Sequence, residues 1–223
     1  MTTLIAEYHE NTLIDAINIS NALSKHPLMG PHPISYSDPR VQGFILEMKK
    51  TPENMDRLSK EIPELVKPLE RFEDRESDLF LLAVNRYPPT SKNDFILKPH
   101  VDRHYHNSKF NLDLAPTSTV VVFLDFPDDA SGGELVVFPT CSPDDFPDSI
   151  PRENARLTVK KYGGELFSPI PGSACILKGP VIHGVIGYEA PSDCRWRTVL
   201  VIAQFKLPPV MSTFSLYQYH RGR

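Results

Sequence analysis

Three side chains in this sequence could close on one metal ion. His100 and Asp102 stand at i and i+2 in Lys98-Pro99-His100-Val101-Asp102, at the end of a predicted strand. Residues two apart on a strand point to the same face, so an imidazole nitrogen and a carboxylate oxygen would reach one point. His183 lies far downstream in the strand-like Val181-Ile182-His183-Gly184-Val185. It can meet the first pair only if the sheet folds over on itself. Two histidines and one carboxylate on one face leave coordination positions open, the arrangement of non-haem iron(II) sites. Open positions admit a chelating co-substrate and then dioxygen. The same donors also make a catalytic zinc site, but no general-base glutamate stands at short spacing from them. A lone His-x-Asp pair is common by chance, and a histidine on an apolar strand is ordinarily a hydrogen-bonded core residue, so the surroundings must decide.

Arg197 lies in the last strong apolar run, Arg195-Trp196-Arg197-Thr198-Val199-Leu200-Val201. A guanidinium fork binds a carboxylate through two parallel hydrogen bonds, and an apolar strand is a costly place for it without an anionic partner. The 5-carboxylate of 2-oxoglutarate would be such a partner. Arg195 shares that strand face by alternation and is a rival for the role. His104 and His106 continue the i+2 series from Asp102, as exposed loop histidines or as substrate contacts; with Arg103 they could pair with a substrate carboxylate. Trp196 reads as packing. Thr198 could add a hydroxyl to the site or face away from it.

These residues need a β-rich frame. From residue 78 onward, short runs rich in β-branched and aromatic residues alternate with turn clusters: DLFLLAVNRY, FILKPHVD, STVVVFLDF, GGELVVF, RLTVKKY, SACILKG, VIHGVIGY and RWRTVLVIAQF. Short strands with such punctuation predict a sandwich or jelly roll. GGEL occurs at 132–135 and again at 163–166, too short a match to be a repeat. Residues 1–77 predict supporting helices. Leu13, Ile14, Ile17 and Leu23 recur near helical spacing, with Asn11 or Thr12 as cap. Ser37-Asp38-Pro39 is a second start signal, followed by Val41, Phe44, Ile45 and Met48 on one face. Thr51-Pro52-Glu53 is a third, leading to Met55, Leu58 and Ile62. These apolar stripes are expected to pack on the outside of one sheet. The expected organisation is one domain over 1–223: supporting helices at 1–77, a catalytic β-body at 78–207 and a C-terminal tail at 208–223. The acidic, proline-rich insert at 140–155 is expected on the surface, bordering the site together with Arg103–Phe110 and Pro88–Phe95.

Composition narrows the class. The 22 prolines favour a loop- and strand-rich body over a helix bundle, and the net charge of −4 gives no basic footprint for nucleic acid. Three cysteines without CxxC spacing do not make a disulfide framework or a zinc knuckle. Reduced thiols and the lack of a secretory leader or a long apolar span predict a cytoplasmic protein that does not engage a membrane.

Taken in order, HVD, SGGELVVF, PGSACILKG, VIHGV and RTVLVIAQF over roughly residues 79–207 resemble the 2-oxoglutarate/iron(II)-dependent dioxygenase superfamily, and most of all its prolyl 4-hydroxylase-like branch. The resemblance implies a mainly β (α+β) double-stranded β-helix, or jelly roll, with an N-terminal helical layer on one sheet. It implies iron(II) held by His100, Asp102 and His183. It further implies Arg197 on the distal carboxylate of 2-oxoglutarate and the hydroxyl of Tyr87 touching the same co-substrate. Dioxygen would be the oxidant, ascorbate a possible reductant, and succinate and carbon dioxide the co-products of hydroxylating an unactivated C–H bond. Relatives that halogenate replace the carboxylate ligand with glycine or alanine, and Asp102 occupies that position here. Prolyl 4-hydroxylases commonly carry lysine where this chain has Arg197, and the stretch from His183 to the basic residue is longer here. A small molecule such as a free amino acid or a natural-product intermediate fits the compact chain. A peptidyl, prolyl-type substrate and a non-catalytic metal-binding β-barrel are the alternatives, and the sequence leaves the oligomeric state open.

Overall fold

The computed structural model describes residues 6–33, 38–102, 104–108, 112–141, 150–191, 196–211 and 213–222. In chain order the elements are β1 (Ala6–His9), α1 (Ala16–Ser24), β2 (Gly30–Pro31), β3 (Gln42–Lys49), α2 (Pro52–Glu61), α3 (Val66–Phe72), β4 (Leu79–Tyr87), β5 (Phe95–His100), β6 (Tyr105–Asn107), β7 (Leu112–Leu114), β8 (Ser118–Asp125), β9 (Ser131–Gly132), β10 (Leu135–Val137), α4 (Ala155–Tyr162), β11 (Glu165–Phe167), β12 (Ala174–Lys178), β13 (His183–Ile186), β14 (Tyr188–Glu189), β15 (Arg197–Phe205) and β16 (Tyr217–His220).

Two antiparallel sheets make the body. The larger runs β1-β12-β8-β15-β4-β3-β16, with β2 also on β3, and the smaller runs β11-β10-β13-β5. From β4 onward the chain crosses repeatedly between them: β4 large, β5 small, β8 large, β10 and β11 small, β12 large, β13 small, β15 large. This alternation is the double-stranded β-helix. Alternate residues of the facing strands fill the space between the sheets, where Tyr87, Val121, Phe123 and Val199 of the large sheet meet Leu135, Val137 and Val185 of the small one.

The outer faces are covered by helices. Leu23 of α1, Leu58 of α2 and Leu69 of α3 pack on Phe44, Leu46, Phe80, Leu82, Leu200 and Ile202 of the large sheet. Thr51 caps α2 as its sequence signal predicts, its hydroxyl accepting the Asn54 N–H at 3.2 Å, with Pro52 in the first turn. Ala155 and Val159 of α4 cover Phe95, Val136 and Ile186 on the outer face of the small sheet. No described helix is long and apolar enough to cross a membrane.

Several local expectations are corrected. The stripe Val41, Phe44, Ile45, Met48 is not a helix but strand β3, paired along its length with β4 from Gln42↔Arg86 to Lys49↔Leu79. Both faces of β3 are largely buried, so its period of two is hidden in an almost continuous apolar run. Ser37 of the proposed cap lies outside the described residues. RLTVKKY is not a strand but helix α4, ended by Gly163 in the left-handed region at φ 66°. In α1 the buried face is Ala16, Ile19, Ser20 and Leu23, while Ile14 and Ile17 face outward. Asp15 occupies the N-cap position of α1, and Thr12 instead donates its hydroxyl to the Gly172 carbonyl at 2.9 Å. Tyr217–His220, in the expected tail, adds β16 to the edge of β3.

The β3–β4 contact is tight at Gly43, where an added Cβ would lie 2.1 Å from the Val84 carbonyl oxygen and 2.4 Å from His32 Cδ2. Gly43→Ala is therefore expected to destabilise the protein by about 1–3 kcal/mol, as overpacking does. Thermal unfolding should show a Tm lowered by about 2–4 °C for each kcal/mol. An unchanged Tm would mean that the two strands are not this closely apposed.

Candidate metal and co-substrate site

β5 ends on His100 and β13 begins on His183, and the register places these two residues opposite each other. Asp102 follows two residues beyond the end of β5. The potential ligand atoms of His100, Asp102 and His183 all lie within 4.8 Å of one another. The two imidazole rings are 4.5 Å apart between centroids, and His183 Nε2 is 3.5 Å from Asp102 Oδ1. His183 is buried; His100 and Asp102 are half-buried.

Each imidazole is oriented by a carbonyl two residues upstream. His100 Nδ1 is 2.8 Å from the Lys98 oxygen, and His183 Nδ1 is 2.9 Å from the Val181 oxygen. A carbonyl only accepts, so each Nδ1 carries the proton and donates it, which leaves the Nε2 lone pairs toward the common point. Two lone pairs and a carboxylate so close together repel unless a cation lies between them, and the donor set fits an iron(II) ion. Burial, with the neighbouring His183 ring adding to it, pushes the His100 pKa down to about 4, so the ring is neutral and ready to ligate at neutral pH. The unfolded chain would take up a proton at His100 near pH 6.5, and the folded metal-free protein only near pH 4. The unfolded state thus binds more protons as pH falls through that window, and stability falls with it. Acid titration of the metal-free protein should show this slope between pH 6.5 and 4, and His100→Gln should flatten it.

Arg197 opens β15 opposite Tyr87 at the end of β4. Both side chains are buried on the face of the large sheet that looks toward the small sheet. The guanidinium carbon lies 5.3 Å from the Tyr87 ring centre and 5.6 Å from that of Phe123. Phe123 and Tyr87 belong to the same interior cluster as Val137, which pairs with His183. The triad and the arginine therefore open on one interior. Arg103 and Arg195 lie outside the described residues, as does 142–149 of the acidic insert. Thr198 is buried on the opposite face of β15 from Arg197, and Trp196 is half-buried with the Arg86 guanidinium 5.2 Å from its ring. His104 and His106 are not brought to the triad. Both are exposed at the start of the β6–β7 hairpin, where His104 Nδ1 is 3.1 Å from Asp113.

Sequence reasoning missed Tyr188. Its buried hydroxyl donates to the Tyr87 carbonyl at 2.8 Å and accepts the Arg197 backbone N–H at 3.0 Å. It thus fixes the start of β15 against the end of β4, and burial pushes its pKa up to about 12. Its place just after the distal histidine strand, in Val185-Ile186-Gly187-Tyr188, was the available signal. Tyr188→Phe leaves two buried backbone groups without this partner. The expected cost is about 1–3 kcal/mol, with a raised co-substrate requirement and unchanged affinity for the metal alone. Equal 2-oxoglutarate dependence in wild type and variant would remove Tyr188 as a positioning residue.

No family model matches the chain, and no curated protein sequence matches it. Its fold is found in solved structures. An oxidoreductase of the 2OG-Fe(II) oxygenase family from Burkholderia pseudomallei superposes with a TM-score of 0.51 at 15% identity, covering 92% of this chain and 87% of that one. The rice dioxygenase for auxin oxidation gives 0.52 at 14% identity, covering 93% and 75%. HygX from Streptomyces hygroscopicus, solved with nickel, 2-oxoglutarate and hygromycin B bound, gives 0.50 at 14% identity, covering 91% and 83%. At these identities the likeness is one of fold.

Proposed function

We propose that the chain is a 2-oxoglutarate- and iron(II)-dependent oxygenase that hydroxylates an unactivated C–H bond of a small molecule. The observation that carries this reading is the convergence of His100, Asp102 and His183 on one point inside the jelly roll. A buried arginine on the facing sheet supports it, as does the binding of 2-oxoglutarate and a metal by HygX, a protein of the same fold. The hygromycin B seen on HygX favours a small substrate here over a peptide. Iron(II), when bound, supplies the binding and reduction of dioxygen, coupled to conversion of 2-oxoglutarate into succinate and carbon dioxide.

The chain's own residues do the rest. His100 and His183 present Nε2 because the Lys98 and Val181 carbonyls hold their protons at Nδ1. Asp102 adds one negative charge and completes the donor set. Arg197, which cannot lose its proton, fixes the far carboxylate of 2-oxoglutarate, with the Tyr87 ring beside it. Val121, Phe123, Val185 and Val199 line the interior and keep water from the reacting centre. The protein supplies position and exclusion while the cofactor carries the difficult chemistry.

The test is incubation with iron(II), 2-oxoglutarate and ascorbate, with succinate as readout, then a mass screen of amino acids and natural-product intermediates for the gain of one oxygen atom. Succinate no higher than in a metal-free control, across the whole panel, would return the chain to a metal-binding barrel without catalysis.

A further inference from the structure

The sequence carries GGEL twice, and the structure puts its two glutamates to different uses. Glu134 precedes β10 and points outward, where Arg156 of α4 donates to its carboxylate at 2.6 Å. Glu165 opens β11 and points inward. The registers β11–β10, β10–β13 and β13–β5 set Glu165, Val137, His183 and His100 in one row across the small sheet. Opposed residues in such a row share a face, and Val137 and His183 face the interior.

The neighbours of Glu165 fix the same orientation. A Cβ on Gly164 would meet Val136 and Phe138, which belong to the outer cluster under α4. Phe167, two residues on, packs at 5.6 Å against the Tyr8 ring, which abuts the interior cluster. Glu165 is exposed, and no described residue forms an ion pair with it. An exposed carboxylate on the edge strand of the small sheet thus shares a face with the metal ligand His183, two strand spacings away, about 10 Å between main chains.

We infer that Glu165 binds a cationic group of the substrate, an ammonium or guanidinium, so that the oxidised carbon lies between that cation and the metal. This rests on the oxygenase reading above and narrows its substrate class to amine- or guanidine-bearing small molecules. Glu165 is a specificity residue: it touches the substrate away from the reacting carbon.

The experiment uses the full chain loaded with manganese(II) and 2-oxoglutarate, and calorimetric titration with L-arginine and L-lysine. L-Citrulline and L-norleucine serve as their neutral counterparts. At least one cation should bind, with its neutral counterpart at least about 10-fold weaker, the scale of one charge-assisted hydrogen bond. Glu165→Gln should erase that preference while manganese and 2-oxoglutarate affinities stay unchanged, and Glu165→Lys should abolish binding of the cation. Equal binding of charged and neutral compounds, no binding of any cation, or a preference that survives Glu165→Gln would overturn the inference while leaving the metal site standing. Failure of manganese and 2-oxoglutarate to bind at all would overturn the oxygenase reading and this inference with it.

Discussion

His183→Ala is expected to lower metal affinity by more than about 100-fold, beyond the 10- to 100-fold that losing an outer-shell partner costs. Succinate formation should fall to background. The side chain is buried, opposes His100 in the sheet and lies 3.5 Å from Asp102 through Nε2. No other described histidine, cysteine or carboxylate joins the group that could replace it. His104→Ala is the matched control. That ring is exposed and engaged by Asp113, so manganese titration of the variant should match wild type. Thermal unfolding separates loss of the ligand from loss of the fold. Near-normal turnover in His183→Ala would refute the assignment of the metal.

Arg197→Ala should raise the 2-oxoglutarate concentration needed for half-maximal turnover by about 10- to 100-fold, corresponding to the roughly 1.5–3 kcal/mol of a charge-assisted, two-bond contact. Affinity for manganese alone should not change. Arg197 is fully buried, and its truncation also removes packing against Tyr87 and Phe123. Arg197→Lys keeps the charge but loses the fork, so an intermediate requirement is expected. Arg195→Ala should leave the requirement near wild type. If Arg195→Ala is instead the damaging change, the co-substrate contact belongs to Arg195.

Most of the frame was legible because the central strands are short runs rich in β-branched and aromatic residues between strong turn signals. STVVVFLDF, SACILKG and RTVLVIAQF became β8, β12 and β15 with few adjustments. The convergence of His100, Asp102 and His183 followed from i+2 spacing and a sheet that doubles back. The errors arose where local pattern and tertiary burial disagree. β3 is covered by helices on the face of Phe44, Leu46 and Met48, and Ile45 is buried on the other, so no alternation of polar and apolar residues marks it. The run Arg156–Tyr162 contains β-branched residues with strand-like alternation, yet Ala155 and Val159 are the positions that meet the core, a spacing of four. Glu165 and Tyr188 could not be ranked from sequence, because their roles depend on cross-strand register. A shift of one residue would turn either side chain to the other face.

The place of β15 in the large sheet bears on how the protein is made. This strand lies between β8 and β4, both of which leave the ribosome well before it. During synthesis those two strands emerge with a gap where their shared partner belongs, each showing an unpaired, apolar edge. Such edges invite pairing with other chains. The completed sheet therefore forms only once Arg197–Phe205 has been translated, by contacts between residues distant in sequence, which are slow to form. His183, on β13, is also made late, so a nascent chain can hold no more than the His100 and Asp102 half of the site. The complete triad therefore exists only after both of its strands have been made and the sheets have closed.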